Sequence, residues 1–186
     1  MDRAVFAPLR FLRRATTGLA VLSVASLTPA HAQQASSACK LLQVAEIESA
    51  LGGKASTKPS GESVNSPDTD LDVCSVTISG PGQHVFHTVS IIIAKKLPMD
   101  GGEAIRMRNG GTAREQQWKT TGARLEQKTV GSAICILAGR PSVAGHSTCS
   151  IPRGKGYVEV DVTGPVEELV SLEKVAALVQ KAVTRL

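Results

Sequence analysis

The chain has 186 residues, 21 basic and 16 acidic side chains, a formal net charge of +5 and five aromatic residues. Residues 1–32 hold four arginines and Asp2, so the remaining 154 residues carry 17 basic against 15 acidic side chains, a net +2. With Phe86, Trp118 and Tyr157 the aromatics left beyond residue 32, the composition argues against nucleic-acid binding, which needs concentrated positive charge and stacking rings, and against an aromatic carbohydrate platform.

The first segment has the three parts of a secretory signal. Arg3, Arg10, Arg13 and Arg14 are followed by an uncharged run from Thr17 to Leu27 and by Ala30-His31-Ala32, a small-x-small cleavage pattern that predicts Gln33 as the mature N-terminus. The run falls short of the roughly 20 apolar residues that span a bilayer, and Pro29 closes it. Arg13-Arg14 lacks the large apolar residue of a twin-arginine signal. Cys39 lies too far beyond Leu27, without a leucine three positions upstream, to be a lipoprotein cysteine. Residues 33–186 are sized for a single domain with an ordinary core. No later segment is long and apolar enough to cross a membrane.

Beyond the leader, Lys40 to Gly53 reads as a short helix, with Leu42, Val44, Ile47, Ala50 and Leu51 mostly on one face and Gly52-Gly53 ending it. Residues 54–70 are rich in Ser, Thr, Pro, Gly and Asp and read as a long polar loop. Asp72–Ser79 alternates as a strand, Gly80-Pro81-Gly82-Gln83 has turn chemistry, and Val85 to Lys95 is a β-branched central strand. Glu103–Arg108 has room for one or two helical turns between glycine pairs, and Thr112 with Glu115 could cap a short helix through Trp118. Gly122 to Val130 is a weaker strand, followed by strands around Cys135 and Cys149. In Tyr157–Val162 the valines at 158, 160 and 162 alternate with Glu159 and Asp161. Leu169, Leu172, Ala176, Val179, Val183 and Leu186 fall at helical spacing, a long amphipathic C-terminal helix. The expected fold is α+β: an antiparallel sheet of about six strands, with the short N-terminal and long C-terminal helices packed on it.

Cys39, Cys74, Cys135 and Cys149 all lie beyond the leader, where an oxidising destination favours disulfides. A hairpin centred near Ser142 sets Cys135 opposite Cys149, each seven residues from the centre, leaving Cys39 for Cys74. Neither the Cys-x-x-Cys of a redox centre nor the close pairs of a zinc site is present.

The opening Cys39-Lys40-Leu41-Leu42, with Glu46-Ile47, Ala50-Leu51-Gly52 and a cysteine on the next strand (Cys74), resembles a family of small bacterial exported proteins of unknown function, many of them actinobacterial lipoproteins. Val130-Gly131-Ser132-Ala133 is similar to that family's Gly-x-Gly-Asp-Ala turn, with no first glycine and with Ser132 where aspartate is usual. The resemblance implies an antiparallel sheet flanked by helices, similar to the PsbP-like fold, and brings no catalytic residues with it.

Three histidines follow the leader: His84, His87 and His146. A metal site on His84 and His87, completed by His146, Met99 or Met107, is one expectation, but in a strand a three-residue spacing sends the first two to opposite faces. The simpler reading makes them single polar decorations of a strand surface. Glu159 and Asp161 share one strand face, read as solvated rather than as an acid–base pair. No Gly-x-Ser-x-Gly elbow or phosphate loop is present, and His146-Ser147 are neighbours that a strand would separate. The sequence therefore favours a periplasmic or secreted, non-catalytic domain without a cofactor, binding a protein or a small ligand. A metal-binding protein using His84 and His87 is the alternative, and an unrecognised hydrolase the third.

Overall fold

A computed structural model describes residues 36–68, 70–80, 85–110, 122–140 and 143–186. Among these, eight strands form one antiparallel sheet accompanied by three α-helices. In chain order they are α1 (Val44–Leu51), β1 (Lys54–Ala55), β2 (Ser60–Asn65), β3 (Asp70–Ser79), β4 (Phe86–Lys95), α2 (Gly101–Asn109), β5 (Arg124–Val130), β6 (Ala133–Gly139), β7 (Ala144–Pro152), β8 (Tyr157–Pro165) and α3 (Leu172–Val183). Short 3₁₀ turns at Ser37–Lys40 and Val166–Glu168 precede α1 and α3.

Across the sheet the order is β1–β3–β4–β8–β7–β6–β5, with β2 beside β1 on the same edge of β3. Two meanders, β2 to β4 (with β1 also on β3) and β5 to β8, thus join along the β4–β8 pair. Two strands, β1 and β2, take up eight of the residues 54–70 that read as a loop. They escape a reading by apolar periodicity because β2 lies at an edge with nearly every residue exposed, held by backbone pairing to β3 rather than by side-chain burial. The expected six strands are β3 to β8. The expected helix around Thr112 to Trp118 lies outside the described residues.

One face of the sheet carries the core. Val76, Ile78, Val89, Ile91, Leu137, Val160 and Val162 point to it, and α3 covers them with Leu172, Val175, Ala176, Leu178, Val179 and Ala182. That i, i+3, i+4 stripe follows from the 3.6-residue turn. Both disulfides lie on this side: Cys39–Cys74 ties the first 3₁₀ turn to β3, and Cys135–Cys149 joins directly paired residues of β6 and β7. Asp72 reinforces the N-terminal tie, accepting hydrogen bonds from the Ser37 and Ser63 hydroxyls and from Lys95 at 3.1 Å. Burial pushes Asp72 up, but those donors outweigh it and hold the carboxyl below its ordinary range. Helices α1 and α3 are cross-linked by Glu46, which pairs with Lys181 at 2.6 Å and Arg185 at 2.7 Å.

Helix α2 goes to the other face. Asp100 caps it, accepting from the Gly102 and Glu103 amides. Its first residue meets the β7–β8 turn backbone to backbone, since the Gly101 amide donates to the Gly154 carbonyl at 2.8 Å and a Cβ on Gly101 would sit 1.8 Å from the Gly156 oxygen. Glycine is required there by contact.

Candidate functional site

The face opposite α3 is built by register. Side chains directly across from one another form rows, one running Val73–Ile92–Glu159–Ser150–Ile134 and the next Ser75–Ser90–Asp161–Thr148–Ile136. A third runs Thr88–Thr163–His146–Ala138–Leu125. Polar groups therefore concentrate on β8 and β7 while apolar side chains flank them. With the last turn of α2 they enclose a cavity of about 360 Å³. Val73, Ile92, Leu125, Ile136 and Ala138 form its apolar walls, and Arg108, His146, Thr148, Glu159 and Asp161 supply its polar lining.

Glu159 is 2 % exposed, which corrects its expected place on a solvated face. A carboxylate so buried needs compensation. It comes from Arg108, 51 positions earlier, whose guanidinium donates to both oxygens, at 2.6 Å to Oε1, while the Ser150 hydroxyl donates at 2.5 Å to Oε2. Arg108 also lies 5.3 Å from the centre of the Tyr157 ring. Burial opposes the arginine's charge, but Glu159 prevails and raises it above its ordinary value. Desolvation is likewise the main cause that raises the Tyr157 hydroxyl. The pair anchors α2 to the sheet and closes one end of the cavity.

Asp161 is arranged differently. Thr148 donates to Oδ1 at 2.5 Å, Thr163 donates to Oδ2 at 3.0 Å, and His146 Nδ1 lies 3.3 Å from Oδ2. Burial pushes Asp161 up, yet the bonds from His146 and Thr148, then the imidazole charge and Thr163, hold it low. His146 is raised by the same carboxylate, with partial burial opposing. With Nδ1 engaged by Asp161, Nε2 is the ring nitrogen available to an occupant of the cavity, as acceptor when neutral and donor when charged. A carboxylate-oriented imidazole beside an apolar cavity can bind a polar group or move a proton.

The other residues singled out in the sequence do not join this site. His87 faces the covered side and is 5 % exposed, so it does not decorate an exposed surface. Its ring fits because Gly164 is opposite, where a Cβ would sit 2.3 Å from His87 Nδ1, and that nitrogen has no hydrogen-bond partner. Burial lowers its pKa, with Glu168 opposing. His146 is on the other face, so the sheet separates the two. His84 lies outside the described residues. Among the described residues no three His, Cys, Asp or Glu side chains converge as a metal site would require, and no helix is long and apolar enough to cross a membrane. Sequence reasoning missed Arg108: its one local signal was a basic residue in the last turn of a short helix, indistinguishable from an ordinary helix-end cation.

No family model matches the chain, and no curated protein matches it. Among solved structures it is similar to the extracellular domain of PknH from Mycobacterium tuberculosis, at 14% identity and a TM-score of 0.45, covering 78% of this chain and 92% of that one. A likeness of that size carries no inference here. The two disulfides by themselves suggest an exported protein.

Proposed function

We propose that the chain is exported to the periplasm or the medium, is cut before Gln33, and there binds a small, mainly apolar molecule in the cavity opposite α3. One observation carries the reading: an apolar-walled cavity of about 360 Å³ whose two carboxylates already have their partners, leaving His146 to meet a ligand's polar group. Ligand pockets run from about 300 to 1,000 Å³ and pair apolar walls with a few placed polar groups. The His146–Asp161 pair also favours a second reading, a hydrolase with His146 as general base.

A fragment screen by NMR on the mature protein tests binding. Shift changes are expected at Ile92, Leu125 and Ile136, and should vanish in Ala138→Trp, which fills the cavity, provided its spectrum remains folded. Changes confined to the α3 side, or persisting in that variant, defeat the proposal. Turnover of a bound ester that is lost in His146→Ala selects the hydrolase. An intact mass that retains residues 1–32 after recovery from the periplasm or medium removes the cleavage before Gln33.

A further inference from the structure

A second cleft, of about 530 Å³, opens at the other end of the sheet, where β4 stops and β7 turns into β8. Four cationic residues line it: Lys95 and Lys96 from the end of β4, Arg153 and Lys155 from the turn. None of its described lining residues is acidic. The two groups lie more than fifty positions apart in sequence and meet through a backbone contact. A Cβ on Gly156 would sit 2.2 Å from the Ala94 oxygen, and the Leu97 amide donates to the Lys155 carbonyl at 2.9 Å. Lys95 and Lys96 both border the cleft, and Lys96, just past the end of β4, is at φ 54° the one non-glycine left-handed residue among those described. Backbone in this region persists where its surroundings enforce it, often at ligand sites.

The charge does not cancel. Asp72 takes Lys95 at 3.1 Å and Asp70 lies 3.8 Å from Lys96. Arg153 and Lys155 are exposed and have no acidic side chain against them among the described residues. Leu186, three residues past the end of α3, also lines the cleft, and the α-carboxylate it carries as the last residue of the sequence opposes an anion and offsets part of the positive charge. The excess therefore rests on Arg153 and Lys155, supplemented by the outer lysines. A guanidinium fork beside an ammonium suits the several oxygens of a phosphate, while the half-buried Leu97 gives an attached apolar part a place to rest.

We propose that this cleft binds a phosphate group, carried by a free phosphate ester or by a lipid headgroup. The test uses the mature protein at low ionic strength. Inorganic phosphate and glycerol phosphate are titrated by NMR, with sodium chloride at matched ionic strength as the control, and cosedimentation compares phosphatidylglycerol vesicles with phosphatidylcholine vesicles. Saturable shifts at Leu97, Lys155 and Gly156 are expected. Affinity should fall at least tenfold in Arg153→Gln/Lys155→Gln and stay unchanged in Lys174→Gln on α3. Both altered side chains are exposed, and an unchanged melting temperature checks the fold. Saturation by soluble phosphate without vesicle binding assigns the free ester; selective binding to phosphatidylglycerol assigns the headgroup. Equal shifts with chloride, a double variant that binds like the wild type, or no binding in either arm overturns the proposal.

Discussion

Along β4 and β8, residues 89, 91, 158, 160 and 162 alternate with residues 88, 90, 159, 161 and 163, yet the two sets meet different fates. The first is valine and isoleucine, fully buried under α3. The second is hydroxyls and carboxylates, of which Glu159 is equally buried but under α2 and within a hydrogen-bonded pair. Apolar burial is non-directional, so the covered face needs only volume and pattern. A buried carboxylate needs a particular donor at a particular distance, so the open face depends on one arginine in a short helix. A sheet can thus carry a core on one side and a site on the other, with stability drawn from different physics.

The largest contrast should appear in denaturant unfolding. Ile91→Ala on the covered face should cost about 2–5 kcal/mol, as core truncations to alanine do. Arg108→Met should cost about 3 kcal/mol by leaving Glu159 buried without its counter-charge. Adding Glu159→Met to that variant should recover all but about 1 kcal/mol, because an apolar pair can replace a buried ion pair. No second substitution that leaves the Ile91 cavity empty should restore the first. A double variant as unstable as Arg108→Met would show that α2 is held by more than charge compensation.

A smaller difference separates the two histidines. NMR titration of the ring protons should place His87 below 6.5 and His146 above it. The linked stability runs in opposite directions. His87 lowers stability as pH falls from its ordinary value through its depressed folded one, since the unfolded chain takes the proton first. The His146–Asp161 contribution is fully present below the ordinary histidine value while Asp161 stays ionised, and it is lost as pH rises through the elevated one. Both rings titrating on the same side of 6.5 would contradict the burial assigned to His87 or the Asp161 pairing assigned to His146.

The smallest effect concerns His146 itself. Its ring is about half exposed, so His146→Ala should cost only about 0.2–1 kcal/mol, the range of solvent-screened ion pairs, while removing the cavity's polar ligand contact. A loss of several kcal/mol, measured by thermal or denaturant unfolding, would make it a structural residue instead.

Much of this architecture is written locally. The valine alternation of β8, the β-branched run of β4 and the helical spacing of Leu172, Ala176 and Val179 each specify an element, because burial on one face imposes a period that a single segment displays. The symmetry about Ser142 places Cys135 across from Cys149, and β6 and β7 pair in that register. Strands β1 and β2 were not legible, since backbone pairing at an exposed edge leaves no apolar pattern. The polarity of Glu159 and Asp161 was legible but the burial of Glu159 was not, because it depended on Arg108 arriving from 51 positions away. The same holds for the cationic cleft. Lys95-Lys96 and Arg153-Gly154-Lys155 are unremarkable as separate pieces of chain, and they make one charged surface only because Gly156 lets two backbones touch. Sequence by itself determined the periods, and hence the elements that bury one face and the covered core; the exposed edge strands, and which distant residues share a cavity or a cleft, were decided by strand order and close backbone contact, for which a linear pattern has no sign.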